Sequence, residues 1–129
     1  MATTQAIVKK KRQQAVVVIN GTGTSNVSLQ SLALADETFD SGNVKVNISS
    51  IVASLDSNAT ISRNGNVVIE LNHDYETRMS QEFGFVLSQD NASNVVVVIA
   101  GTVPGSVILE FTKQQGYIEP DTQRFVSGN

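Results

Sequence analysis

The sequence predicts an all-β fold: a single-domain antiparallel β-sandwich or jelly roll of about eight strands, preceded by an extended basic N-terminal arm. The first observation is composition, since 18 Val and 9 Ile stand against only 7 Leu in 129 residues. β-Branched side chains lose rotamer freedom in helices and pack well on a pleated sheet. The second is spacing, because short apolar runs alternate with turns rich in Gly, Asn and Ser. A chain of this length can bury one core.

Eight segments have strand patterns, and the clearest two form a hairpin around Asn64-Gly65. This dipeptide favours the positive φ angles of a type I′ turn and lies between two alternating apolar runs. In "NVKVNISSIVASL", Val44, Val46 and Ile48 share one face through the two-residue period of a strand. The predicted strands are 15–20, about 27–34, 43–55, the two halves of 59–71, 83–88, 94–101 and 106–113.

Two segments depart from this pattern. Tyr75, Met79 and Phe83 recur every four residues, which predicts a short helix or structured loop over 72–83. The tail from Tyr117 has little periodicity and is expected to run along the surface. The predicted organisation is therefore an arm over 1–14, a β-sandwich over 15–116 and a surface tail over 117–129, with no second domain.

An internal repeat is the most specific pattern in the chain. The segments "VVVINGTGTSNVSL" (16–29) and "VVVIAGTVPGSVIL" (96–109) share Val-Val-Val-Ile-x-Gly-Thr-x4-Val-x-Leu at an offset of 80 residues. We interpret them as two hairpins built under the same sheet constraints, with duplication of a half-sheet as the alternative. Both valine runs are apolar on both faces, which predicts strands buried centrally.

The charge of the chain is divided between a basic arm and an acidic body. The cluster Lys9, Lys10, Lys11 and Arg12 contains four of the nine basic residues, and the other five face all twelve acids, so the remainder carries 5 − 12 = −7. The cluster admits three interpretations: a nucleic-acid grip, a solvated disordered terminus, or an arm that binds an acidic neighbour. Because the body repels DNA and no aromatic platform accompanies the cluster, the pattern favours binding to an acidic protein surface, either another subunit or a second copy.

The sequence contains little that indicates catalysis. His73, Asp74, Tyr75 and Glu76 are the one place where a histidine and carboxylates crowd together, and they form a candidate ligand loop. One histidine and no cysteine leave no complete ligand set, so solvated loop residues are the better interpretation. The calcium pattern D-x-[DN]-x-[DN]-G and the nucleophile elbow G-x-S-x-G are missing. We therefore predict no enzyme, no cofactor and no metal.

The apolar runs also bear on the cellular location. None approaches the roughly 20 residues of a membrane helix. The run from Ala15 to Ile19 is shorter than the roughly 7–15 apolar residues of an export signal. The sequence predicts synthesis in the cytoplasm and no membrane partner.

Three stretches, "QQAVVVINGTGTSNVSLQSLALADETF", "ATISRNGNVVIEL" and "SQEFGFVLSQDNASNVVVVIAGTVPGSVILEFTKQQGY", resemble small virion structural proteins of tailed bacteriophages, of the marine and cyanobacterial type. The likeness lies in the Ser/Thr/Asn-rich β pattern, the R-N-G hairpin and the closing I-L-E-F strand, over residues 13–117. It implies a non-enzymatic, multi-copy role in the virion, with terminal arms that reach between subunits. It brings no catalytic or binding residues.

The function predicted from these observations is a capsid decoration or cement protein. Its arm, through Lys9 to Arg12, would bind the major capsid protein, with neck or tail proteins and further copies of itself as other partners. One alternative is a head–tail, neck or tail accessory protein. Another is a carbohydrate- or host-surface-binding module that uses Tyr75 and Tyr117, and an enzyme would need a pocket around His73.

Overall fold

The computed structural model of the protein describes residues 3–72, the backbone of 75–77, and 90–119. Within them the chain forms strands and one 3-10 helix, Leu29–Leu32. The strands are β1 Thr4–Lys10, β2 Gln14–Gly21, β3 Gly23–Val27, β4 Thr38–Phe39, β5 Lys45–Ser54, β6 Asn58–Arg63, β7 Asn66–Asn72, β8 Tyr75–Thr77, β9 Val95–Ile99, β10 Gly105–Gln115 and β11 Tyr117–Ile118.

The strands form two main sheets that enclose the core. The five-stranded sheet has the order β1-β2-β10-β5-β8, the four-stranded sheet has the order β3-β9-β6-β7, and β4 pairs with β11. Every pairing is antiparallel. The buried cluster draws alternate residues from both main sheets, among them Ile19, Phe111, Ile61 and Val97. The predicted all-β, antiparallel sandwich class is confirmed, and the predicted extended N-terminal segment is strand β1.

The two repeated segments lie side by side in the structure. In the first repeat the chain passes from the five-stranded sheet (β2) to the four-stranded sheet (β3). In the second repeat it passes from the four-stranded sheet (β9) to the five-stranded sheet (β10). β2 pairs with β10, β3 pairs with β9, and Gly21 lies opposite Gly105. The expectation of two hairpins is therefore wrong, because each repeat is a crossover that carries the chain from one layer to the other.

The valine runs lie on β2 and β9, which have a neighbouring strand on both sides but stand next to the edge strands β1 and β3, and the runs are buried on one face only. Val17 and Ile19 are fully buried, whereas Val16 and Val18 between them are partly exposed. In β9, Val98 is 37% exposed. In a two-layer sandwich each sheet turns one face to the other sheet and one face outward, so a run that is apolar on both faces still places alternate residues at the surface.

The strand predicted at about 27–34 is wrong except at Val27, which is the last residue of β3. β3 stops at Val27, and a 3-10 helix follows, with Ser31 N donating to Ser28 O at 3.1 Å. Residues three apart eclipse each other in a 3-10 helix. Leu29 and Leu32 are therefore both buried on one side, a result that strand alternation would not give.

The segment predicted as a short helix or loop contains strand β8. Residues 75–77 pair with Ile51 to Ala53 of β5, so tertiary pairing overrides the four-residue spacing there. Met79, Phe83 and the strand predicted over 83–88 lie outside the described residues. At the C-terminal side, the predicted surface tail begins with β11, and residues from 120 onward are outside the described part.

The predicted hairpin is confirmed. Asn64 and Gly65 have φ angles of 52° and 77°, and β6 pairs with β7 on either side of them. Arg63, the last residue of β6, is 1% exposed and donates hydrogen bonds to the carbonyl oxygens of Val46, Asn91 and Ser93. Burial lowers the pKa of Arg63 to about 10, so the guanidinium stays charged at neutral pH.

We predict that Gly116→Ala destabilises the fold by about 2–3 kcal/mol or more, since φ is +96° and a Cβ would lie 2.3 Å from Val44 Cα. Gly65→Ala is the matched control, because φ is +77° but no atom lies within 4 Å of the added Cβ. That control should lose only about 1–2 kcal/mol. Urea unfolding of both variants measures the difference, and equal losses would contradict the clash with Val44.

Candidate functional site

Strand β1 is an exposed edge of the five-stranded sheet. All seven of its residues are exposed, and within the described chain it pairs on one side only, with β2. The register shifts between Ile7 and Lys9 at a bulge. The Gln5 side-chain amide donates to Ser25 Oγ and to Asn26 O, each at 2.7 Å, and so ties β1 to the four-stranded sheet. The predicted arm is thus extended and is also a fixed part of the sandwich.

The basic cluster is divided by the structure into three exposed lysines and one paired arginine. Lys9 and Lys10 end β1, and Lys11 and Arg12 lie in the turn that leads to β2. Arg12 forms two hydrogen bonds of 2.8 Å with the carboxylate of Asp36. The three lysines are exposed and have no ion pair in the described part of the chain. They are the charges that a partner can reach.

A buried ion pair holds the turn, residues 11–13, in place. Lys113 Nζ lies 3.0 Å from Glu37 Oε1, and both side chains are 1% exposed. The same ammonium donates to the carbonyl oxygens of Lys11 and Leu32, each at 2.8 Å. An ammonium has three donors, and all three are used here. Because Lys113 N also donates to Gln13 O at 2.9 Å, side chain and main chain together fix the turn.

Tyr117 completes this buried cluster. Lys113 Nζ lies 4.4 Å from the centre of the Tyr117 ring, and the ring packs against Phe39 at a centroid distance of 5.6 Å. The Tyr117 hydroxyl donates to Leu29 O at 2.6 Å. Burial, with the nearby charge of Glu37, raises the pKa of Tyr117 above its usual range. The ring is engaged in packing and is not a free stacking surface for a sugar.

Two clefts flank the turn. The larger, about 440 Å³, is lined by Lys11, Arg12, Gln13, Gln14 and Thr112. The smaller, about 160 Å³, shares Arg12 and Gln13 with it and extends to Tyr117 and Glu119. Each residue that lines the larger cleft has a cationic, amide or hydroxyl group, and such groups bind carboxylates and other anionic groups. The turn therefore presents donors on both of its sides.

The candidate ligand loop is only partly described. His73 and Asp74 lie outside the described residues. Tyr75 and Glu76 belong to β8, where their backbones lie opposite Ala53 and Val52. In the described part of the chain, no group of three or more His, Cys, Asp or Glu side chains is placed to hold a metal ion. No helix among those residues has the length and hydropathy of a membrane span.

Sequence reasoning missed Glu37 and Lys113, which lie 76 residues apart. One signal was present. Val107, Leu109 and Phe111 point inward with the two-residue period of β10, and Lys113 is the next residue on that face. A lysine at an inward position requires a buried partner. The sequence does not say which of twelve acids supplies it.

We predict that Lys113→Met lowers the free energy of unfolding by about 3–5 kcal/mol, because it leaves the buried Glu37 carboxylate with only the longer 3.6 Å ion pair to Arg12. Adding Glu37→Gln should recover part of this loss, since the amide oxygen can still accept the hydrogen bond from Leu34 N. Hydrogen exchange at residues 11–13 should rise in the single variant. A single variant as stable as the wild type would contradict the role of the ion pair.

We predict that Arg12→Gln raises the pKa of Asp36, which the Arg12 hydrogen bonds hold below its ordinary value. A lowered carboxyl pKa stabilises the fold above the unfolded-state pKa, and this contribution disappears as pH falls through the folded-state value. As the pH is lowered, the free energy of unfolding of the variant should therefore fall less than that of the wild type. A carbon-detected NMR titration measures the pKa. Asp40 is the control, since its pKa is lowered by Asn43 and Gly42 and should not move.

Comparisons with known proteins assign no family. No family model matches the chain, and no curated protein matches it significantly. Among solved structures, it is similar to a cupin superfamily protein from Desulfitobacterium hafniense, at 10% identity and a TM-score of 0.45, over 88% of this chain and 79% of that one. At that level the similarity supports no statement about function.

Proposed function

We propose that this protein is a non-enzymatic structural protein of a tailed-bacteriophage virion, and that it decorates or cements the capsid. It would bind neighbouring capsid subunits through β1 and the basic turn. The observation that carries the proposal is a fully exposed edge strand that ends in three exposed lysines, on an otherwise acidic chain. The resemblance of the sequence to small phage structural proteins supplies the virion context.

The rigidity of this surface favours binding. Lys113, Glu37 and Asp36 hold the turn before any partner arrives, so little conformational entropy remains to be lost on association. The open edge of β1 presents main-chain groups to which an extended segment of a neighbour can add as a further strand. The bulge and the lysines at the end of β1 discourage indiscriminate edge pairing. A partner must therefore offer acidic groups beside its strand.

Charge supports a protein partner over nucleic acid. Of the basic residues outside the cluster, Arg63 and Lys113 are buried and bound to groups of their own chain. Outside the cluster the sequence has five basic and twelve acidic residues, a net charge of −7 that would repel a phosphate backbone. Three lysines steer an acidic protein surface into place by Coulomb attraction.

A decoration role also fits the modest size of this surface. One strand edge and one turn give a weak contact, but many copies on a symmetric particle add their contacts together. A head–tail, neck or tail accessory position would use the same surface with a different neighbour. The carbohydrate-binding alternative loses one of its two tyrosines, since the ring and hydroxyl of Tyr117 are engaged within the chain.

The proposal predicts that the protein is present in purified virions of the phage whose genome carries the gene. Quantitative mass spectrometry should find it in a fixed ratio to the major capsid protein. A protein abundant in infected cells but absent from purified particles would overturn the proposal. A ratio of only a few copies per particle would favour the neck or tail position.

The proposal also predicts that Lys10→Glu/Lys11→Glu reduces binding to particles lacking the protein by about tenfold, as expected for two exposed charge contacts. Binding is measured by co-sedimentation at several salt concentrations. Lys45→Glu is the matched control, since Lys45 is exposed on β5, three strand positions from β1. Equal binding by both variants would show that the basic turn is not the contact surface.

A further inference from the structure

The outer face of the five-stranded sheet carries one continuous apolar row. The pairing registers place Ala6, Val18, Ile108 and Val52 side by side across β1, β2, β10 and β5. Val18, Ile108 and Val52 alternate with buried, inward residues and so point outward, and Ala6 lies on the same face because it pairs with Val18. Ile108 is 36% exposed, and Val18 and Val52 are partly exposed. We call this set the apolar row.

The rows beside it are polar and form a frame. On one side lies the row Thr4, Asn20, Ser106 and Ser54, and on the other the row Lys9, Val16, Glu110 and Ser50. The outer face of the four-stranded sheet has no equivalent, since its corresponding rows are Thr24, Val98, Thr60 and Glu70, and Asn26, Val96, Ser62 and Val67. An apolar row within a polar frame is the usual composition of a protein interface.

The third row carries two opposite charges that do not meet within the chain. Lys9 and Glu110 lie on either side of Val16, two strand spacings or about 9–10 Å apart. Glu110 accepts hydrogen bonds from Ser50 Oγ at 2.9 Å and from Gln14 Nε2 at 3.4 Å, both neutral groups. In the described part of the chain neither Lys9 nor Glu110 has an ion-pair partner.

We propose that this face binds a second copy of the chain, face to face. The two copies are related by a twofold axis that lies between them and runs parallel to β2. Such an axis keeps the rows in line and exchanges β1 of one copy with β10 of the other. Val16 and Val18 then meet their own equivalents, and Ala6 meets Ile108. Lys9 of each copy faces Glu110 of the second copy, so both unpaired charges gain a partner at once.

The expected dimer is weak. Three overlapping strands about 4.8 Å apart and three rows about 6.7 Å apart cover about 300 Å² on each copy, or about 600 Å² in total. This area belongs to the transient class of interfaces. The dimer does not depend on the virion role, because the proposed contact of β1 with capsid subunits uses the strand edge and the turn, whereas this contact uses the outer face, and only Lys9 belongs to both surfaces.

The test is sedimentation velocity of the whole chain from about 1 µM to about 1 mM, the range in which weak interfaces associate. The wild type should change from monomer to dimer in that range. Lys9→Glu and Glu110→Lys should each weaken the dimer by about tenfold or more, since each places like charges opposite each other. A wild type that stays monomeric at the highest concentration overturns the proposal.

Restoring the charge pair distinguishes this interface from others. The double variant Lys9→Glu/Glu110→Lys should dimerise as the wild type does, and an equal mixture of the two single variants should form a mixed dimer. If the single variants weaken association and the double variant does not restore it, the predicted charge pair is wrong. The pair is also wrong if neither single variant changes the dimer.

Two further variants complete the test. Ile108→Ser should weaken the dimer without a change of charge, and Lys45→Glu should leave it intact, because β5 lies outside the overlapping strands. Urea unfolding of every variant shows that the monomer still folds. If Ile108→Ser folds and dimerises as the wild type does, the outer face is not the interface. Failure of capsid binding with an intact dimer would count against the virion proposal alone.

Discussion

The ion pair between Lys113 and Glu37 is the interaction on which the candidate surface depends. It joins β10 to the segment that follows the 3-10 helix, and its third hydrogen bond holds the turn between β1 and β2. Two charges removed from water are costly to bury, and the pair is tolerated because every ammonium donor has an acceptor. The position of the basic turn therefore depends on three sequence segments, and one substitution inside the protein would change a surface that it never touches.

Burial of basic side chains inside the protein also leaves the exposed positive charge of the described residues mainly at the end of β1 and in the turn after it. Arg63 and Lys113 turn their cations inward to carbonyl oxygens, and Arg12 is paired with Asp36. In the described part of the chain this leaves Lys9, Lys10 and Lys11, with Lys45, as the exposed lysines. The strand period then separates Lys9 from Lys10, since adjacent residues point to opposite faces. Lys9 stands on the outer face with Glu110, whereas Lys10 and Lys11 remain for the edge and turn.

Local patterns predicted those parts of the structure that depend on local chemistry. The Asn64-Gly65 turn follows from the positive φ angles that this dipeptide adopts easily. β5, β9 and β10 follow from β-branched and alternating residues. The two errors of secondary structure have one cause in common: Val27 to Leu34 and residues 75–77 contain weak or ambiguous periodicity, and long-range packing decided between helix and strand. The lysine cluster was found from sequence, but its anchors Glu37 and Lys113 were not.

By itself, the sequence determined the all-β class, the turn-forming positions and the division between a basic segment and an acidic remainder, because composition, two-residue period and charge are local properties of the chain. Packing in three dimensions sets which strands are neighbours, that β1 forms an edge of the sheet, that the repeats are crossovers, and that Lys9 shares a row with Glu110, 101 positions further along the chain. Register and partner choice result from packing two sheets together, and no local pattern specifies them.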